Sequence, residues 1–179
     1  VVKPEKPTPN AAVLDFSASG PDAAVIAALD GPGLDHYCEG KIATAHADFG
    51  IGRYGEDRTI YKGAAFETAY AARRTVHLGI DIFAPAGEAV YAPLTGTVAF
   101  KYDDDAAFGF GPTVLLEHVT DDGERFWTLY GHLERLGFAK LKLGQPIAKG
   151  QAFAAFGARH ENGHWPPHLH FQIVTDHLG

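Results

Sequence analysis

The sequence predicts a mainly β fold, a compact antiparallel barrel or sandwich preceded by an irregular, partly helical N-terminal extension. From Thr75 onward, short apolar runs alternate with turn residues, and no heptad or long amphipathic stretch interrupts them. Glycine and proline are plentiful, at 21 and 11 residues, which favours short strands and turns. A chain of 179 residues with 46% hydrophobic side chains can bury one good core but is short for two full domains. Residues 1–70 are therefore expected to form a linker and extension, and residues 71–179 the main domain.

Taken in order, residues 1–12 are proline-rich and charged and read as a linker or frayed end. A helix is expected next. Pro21 and Asp22 are placed to start it, Ala23 to Leu29 contain helix formers, and Asp30-Gly31-Pro32-Gly33 should stop it. From Leu34 to Tyr61 no period emerges, and Gly50, Gly52 and Gly55 suggest a looped segment. Strands are expected over Thr75–Ile82, Ala89–Ala92, Gly96–Lys101, Thr113–His118, Arg125–Leu129, Gln151–Phe156 and Leu169–Val174. Asp121-Asp122-Gly123 makes a hairpin turn between two of them, since Asp and Gly tolerate positive φ, and Pro85-Ala86-Gly87 and Lys149-Gly150 punctuate in the same way. The chain stops just after its last strand, at Asp176-His177-Leu178-Gly179, and so reads as part of a longer polypeptide.

Composition narrows the function classes. With 22 acidic and 15 basic side chains, a net charge of -7 and no basic run, the chain would repel a phosphate backbone, so no nucleic-acid partner is expected. No run approaches the ~20 apolar residues of a membrane span, and the first residues lack an export signal, which leaves the compartment open. The single cysteine, Cys38, permits no internal disulfide and reads as a buried or incidental thiol. Ten histidines are many for this length, and their crowding toward the C-terminus directs attention there.

Two segments carry the chemistry. In His77-Leu78-Gly79-Ile80-Asp81, an imidazole and a carboxylate stand four residues apart. A straight strand would separate their Cα atoms by roughly 13 Å, too far for one ion with bonds of ~2 Å, so shared ligation requires the chain to bend, and Gly79 sits where the bend is needed. In Pro167-His168-Leu169-His170-Phe171-Gln172-Ile173, alternation makes a half-buried strand. His168 and His170 then share one face, while Leu169, Phe171 and Ile173 fill the core behind it. Taken alone, each segment also fits surface histidines on a sheet. Together, His77, Asp81 and His170 supply three ligands and leave a fourth tetrahedral position for water, the makeup of catalytic rather than structural zinc. A third segment, Leu129-Tyr130-Gly131-His132-Leu133, ends a strand with a glycine that lets His132 turn inward.

These motifs resemble the lysostaphin-type zinc endopeptidases, which include the LytM-like cell-wall hydrolases. His77 and Asp81 match the family's spacing, and Ala84–Pro93 and Gly96–Val98 look like its next two strands. Tyr130-Gly131-His132-Leu133, the Gly144-Gln145 and Lys149-Gly150-Gln151 turns, and Pro167–Phe171 follow in the family's order. The resemblance runs from about Thr75 to Val174 and implies a core of antiparallel strands, like a duplicated hybrid motif, with the site in a groove on one face. It makes His77, Asp81 and His170 the ligands of one zinc ion per chain, and His132 and His168 the catalytic histidines. The implied activity is a zinc metallopeptidase that hydrolyses short Gly/Ala-rich or peptidoglycan-type peptides. The sequence departs from the family at Gln172, where an acidic residue is common, and at the bulky Gly163-His164-Trp165-Pro166-Pro167, where Trp165 either walls the groove and restricts substrates to small side chains or caps the core.

The other histidines read differently. His118 is expected to be structural, and His36, His46, His160, His164 and His177 to occupy solvated loops; Asp103-Asp104-Asp105 reads as an exposed turn, not a calcium loop. Two further functions compete with the enzyme. One is a catalytically silent zinc-holding scaffold within a larger protein. The other is a biotinyl- or lipoyl-type carrier, suggested by Val90–Val98, although the chain has no Met to flank a modifiable lysine.

Overall fold

The computed structural model describes residues 10–61, 75–104 and 106–176. Its elements follow in the order β1 (Ala11–Val13), α1 (Ala23–Ala28), α2 (Gly31–Thr44), β2 (Phe49–Gly52), β3 (Ile80–Phe83), β4 (Ala89–Tyr91) and β5 (Gly96–Asp104). After these come β6 (Gly111–Val119), β7 (Arg125–Gly131), α3 (Arg135–Lys140), β8 (Pro146–Ile147), β9 (Ala152–Ala155) and β10 (His168–Val174).

The alternation of apolar and polar residues after Thr75 gives the expected mainly β, antiparallel architecture. Eight strands form one sheet in the order β1-β2-β3-β10-β7-β6-β5-β8, and β4 pairs with β9 in a separate ribbon. Among the described residues the sheet does not close, since β1 and β8 are its edges, so the arrangement is sandwich-like rather than a barrel. Val90, Ala92, Phe153 and Phe156 of the ribbon region pack with Val98, Val114, Leu116, Tyr130 and Leu169 of the sheet in the main core. The Asp-Asp-Gly turn joins β6 to β7 as expected, with Gly123 at φ 89°. His118 is buried and structural: Nδ1 bonds the Thr95 carbonyl at 2.9 Å and Nε2 meets Thr128 Oγ1 at 2.7 Å.

Several expectations are corrected. Ala11 and Ala12, placed in the linker, belong with Val13 to a strand parallel to β2. Asp30-Gly31-Pro32-Gly33 starts a helix instead of only ending one: the Asp30 side chain accepts from Gly33 N at 2.8 Å, and proline stands in the first turn, where its missing N–H costs nothing. The resulting α2 runs to Thr44, with β2 behind it, so Leu34–Tyr61 is not one long loop and His36 lies on a helix. Its weak apolar periodicity hides it from sequence reading, because only Leu34 and Cys38 are buried. The strand expected from Thr75 reduces to an isolated bridge at Val76 and begins at Ile80. Ile173 is 62% exposed and does not join the core.

The extension has its own core, and that core is shared. Leu14, Phe16, Ile26, Leu34 and Cys38 pack with Phe83 of β3 and Trp165 before β10. Arg159 ties α2 to the same loop, reaching Asp35, the Gly31 carbonyl and the His164 carbonyl.

Cys38 reports on this joint. Burial pushes its thiol up to about 12, and only 3% of the residue is exposed. Native protein at pH 8 should therefore be alkylated by iodoacetamide at least about 100-fold more slowly than unfolded protein, as an opening free energy near 3 kcal/mol would give. Equal rates in the two states would show that the second core is not formed.

Candidate metal centre and active site

Strand register assembles the site. Asp81 of β3 lies directly opposite His170 of β10, and Phe83 opposite His168. Gly52 of β2 pairs with Asp81 from the other side, and Gly131 of β7 pairs with His170, so two glycines flank the two candidate side chains. His77 reaches the same point because the chain turns at Gly79 as expected, bringing His77 Nε2 to 3.1 Å from Asp81 Oδ1. Close approach explains the glycine: a Cβ on Gly79 would stand 2.5 Å from His170 Cε1 and Nε2 and 2.8 Å from the Phe171 carbonyl oxygen.

His77, Asp81 and His170 form the group among the described residues that can hold a metal ion, and all three are buried. Their donor atoms make a triangle: His77 Nε2 to His170 Nδ1 is 3.0 Å, and each nitrogen is 3.1 Å from Asp81 Oδ1. A tetrahedral ion with bonds of ~2.1 Å needs ligand separations of about 3.4 Å, so the triangle is a slightly tight fit for zinc. The protonation pattern agrees with this geometry. His77 Nδ1 donates to the Arg53 carbonyl at 2.8 Å, which leaves Nε2 as a bare lone pair. Gln172 Oε1 lies 3.4 Å from His170 Nε2, on the side that leaves Nδ1 bare. The three atoms converge within 3.1 Å of one another in a buried site, and a cation among them would satisfy all three at once.

His168 and His132 stand beside this triangle. Their ring centroids are 4.2 Å apart, and His168 stacks on Phe83 at 4.9 Å. Each Nδ1 donates to a backbone carbonyl, His168 to Pro166 at 2.7 Å and His132 to Asn162 at 2.8 Å, so each ring keeps a free Nε2. His168 Nε2 is 3.7 Å from Asp81 Oδ1, yet His168 is not in the three-residue group. Burial pushes the His168 imidazole down to about 4 against the opposing pull of Asp81. Burial, with His168 and His170 as neighbours, holds His132 well below the usual imidazole range. His132 adopts φ 63°, rare for a residue with a Cβ, and its backbone N–H is held by the Phe110 carbonyl at 2.8 Å. Buried Asn162 fixes the loop opposite, donating to the Gly157 and Trp165 carbonyls and accepting from Trp165 N.

The residues that sequence reasoning missed lie outside this cluster of motifs. Arg58 is 4% exposed and donates through Nη1 to Asp81 Oδ2 at 2.6 Å. Burial opposes the ionisation of Asp81, but Arg58, with His168, His170 and His77, holds its carboxyl well below the usual carboxylate range. Glu56 and the Arg53 carbonyl complete the surround. Gly55-Glu56-Asp57-Arg58 looks like any charged turn in sequence; only burial distinguishes it. A cleft of about 470 Å³ opens onto the site, walled by Tyr61, Leu78, Phe108, Phe110 and Trp165. Trp165 is 7% exposed and meets Phe108 edge-on at 5.1 Å, so it both walls the cleft and belongs to the second core.

Comparison with known proteins gives a family-level match, to Peptidase family M23, over residues 75–178. A Pseudomonas aeruginosa protein described as a lipoprotein NlpD/LppB homolog is 32% identical over 104 residues. That alignment covers 58% of this chain and 31% of the relative, so this chain spans under a third of the relative's length. Among solved structures, a zinc containing peptidase from Vibrio cholerae is 28% identical, with 60% of this chain and 30% of that one covered and a TM-score of 0.44. The catalytic domain of the antimicrobial peptidase lysostaphin from Staphylococcus simulans is 26% identical, with 57% and 70% covered and a TM-score of 0.45.

Two glycine substitutions should differ in sign. Gly79→Ala forces a methyl group into the His170 ring and the backbone and should destabilise by about 1–3 kcal/mol. Gly40→Ala, on an exposed position of α2 with nothing within 4 Å of a Cβ, should stabilise by about 0.5–1 kcal/mol. Urea unfolding of both variants checks the pair.

Proposed function

The chain belongs to peptidase family M23, and on that footing we propose that it is a zinc-dependent metalloendopeptidase acting on short Gly/Ala-rich or peptidoglycan-type peptides. The observation that carries this reading is the triangle of acceptors at 3.0 and 3.1 Å with two further imidazoles beside it. In the proposal, His77 Nε2, Asp81 Oδ1 and His170 Nδ1 hold one zinc ion. Zinc in that position supplies Lewis acidity toward the scissile carbonyl and makes the attacking water more acidic.

The rest is done by the chain's own groups. His168 and His132, neutral and with Nε2 unprotonated, are suited to accept the water's proton. The ring that takes it becomes a donor, able to steady the developing oxyanion or to pass the proton to the leaving amine. The backbone carbonyls of Pro166 and Asn162 hold both rings in the required tautomer while this happens. Asp81, with Oδ2 bonded to Arg58, stays ionised and does not compete for the proton. The aromatic walls suit an extended peptide with small side chains, because Trp165 is buried in the second core and Phe108 stands edge-on against it. The competing scaffold reading gives His132 and His168 no task.

Function and metal binding should separate on β10. His168→Ala should keep near-stoichiometric zinc and lose roughly 10²- to 10⁴-fold in turnover, while His170→Ala should lose zinc affinity as well. Titration of each variant with zinc against a competing chelator, followed by hydrolysis of Gly-Gly and peptidoglycan-stem peptides at saturating metal, tests both. Zinc loss in His168→Ala alone would reverse the assignment. Unchanged hydrolysis in both variants would place the active site elsewhere.

A further inference from the structure

We propose that Arg58, which precedes the family-matched residues 75–178, is a positioning residue of the metal centre: it holds Asp81 Oδ2 so that only Oδ1 is presented to the ion. The inference rests on the zinc reading of His77, Asp81 and His170 given above.

Asp81 is fully enclosed, and its two oxygens have different partners. Oδ1 faces His77 and His170 at 3.1 Å, whereas Oδ2 receives Arg58 Nη1 at 2.6 Å. The guanidinium is itself fixed. Its Nε and Nη2 donate to Glu56 Oε2 at 3.0 and 2.9 Å, and its Cζ lies 5.1 Å from the Phe16 ring and 5.6 Å from the Tyr61 ring. Nη1 also meets Tyr61 Oη at 3.2 Å. Room for this group is built into β2, because a Cβ on Gly52 would stand 2.7 Å from Arg58 Nη2 and 3.2 Å from Asp81 Cβ. Lys at this position could meet one carboxylate but not hold the planar fork between two.

The same segment also secures His77. Arg58 N donates to the Thr75 carbonyl and His77 N to the Glu56 carbonyl, both at 2.8 Å, while the Arg53 carbonyl takes the His77 Nδ1 proton. Two of the three proposed ligands thus have their outer contacts supplied from residues 53–58. Attraction cannot be the purpose of Arg58, since a guanidinium beside a dication is repulsive. What it provides is orientation: with Oδ2 occupied, Asp81 cannot swing to bind through both oxygens, and a coordination position stays open for water or substrate.

The test compares the wild-type chain with Arg58→Lys and with the charge-balanced Glu56→Gln/Arg58→Gln double variant. Folding is followed by circular dichroism and Cys38 protection, and metal binding by zinc titration against a chelator and by the visible spectrum of the Co²⁺ form. Zinc affinity should fall 10- to 100-fold in both variants, the usual loss when a ligand's outer partner is removed. The Co²⁺ bands should also weaken, because they lose intensity as a second carboxylate oxygen raises the coordination number. A purely structural role would lower thermal stability and leave that spectrum unchanged. Folded variants with wild-type zinc affinity and spectrum would overturn the proposal, and so would variants that fail to fold with or without zinc, since Arg58 would then be a folding residue. If the wild-type chain itself binds no zinc, the metal reading falls and takes this inference with it.

Discussion

One buried carboxylate stands where the two parts of this molecule meet, and its charge constrains everything packed around it. Asp81 sits at the meeting point of β2, β3 and β10, paired in register with Gly52 on one side and His170 on the other. One of its oxygens faces imidazoles of the family-matched region and the other faces a guanidinium from the extension. A charge enclosed in this way is tolerated only if every neighbour is placed to compensate it. Much of the local sequence can be understood as providing those neighbours. Gly79 lets the His170 ring approach, Gly52 makes room for Arg58, and Glu56 holds Arg58 in turn.

The imidazoles around Asp81 follow a common rule. His77, His132 and His168 each spend Nδ1–H on a main-chain carbonyl, from Arg53, Asn162 and Pro166, and keep Nε2 for the site. His170 runs the other way, turning Nδ1 inward and Nε2 toward Gln172. Gln172 Oε1 stands 3.4 Å from that nitrogen and can accept from it when Nε2 carries the proton. The positive φ at His132 is the strained element of this set, and it is held from both sides, by the Phe110 carbonyl on its backbone and the Asn162 carbonyl on its ring.

How much of this the sequence discloses depends on the range of the interaction. The strands after Thr75, the hairpin at Asp121–Gly123 and the shared face of His168 and His170 rest on local periodicity and turn chemistry, so they are legible. So is the bend at Gly79, because the metal-ligand distance demands it. Helix α2 is not, since its start is disguised as a Gly-Pro break and its buried face is two residues wide. Ile173 misleads for the opposite reason: it continues the alternation of β10 after the core has ended. Arg58 is the clearest case of a residue outside sequence reach. It lies 23 positions from Asp81, and nothing in Gly55-Glu56-Asp57-Arg58 signals that two of its charges will be buried together. Pairing across such a distance is fixed by β2 joining β3, which is itself not written in any local pattern.

In the proposed centre, two imidazoles and one carboxylate oxygen hold the ion while two nearby imidazoles stay off it. Zinc K-edge X-ray absorption on the loaded chain counts imidazoles directly, through the multiple scattering of their rings. The expected fit has two imidazole nitrogens and oxygen donors at about 2.0–2.2 Å. A site with three or four imidazoles would mean that His168 or His132 is a ligand, and would contradict it.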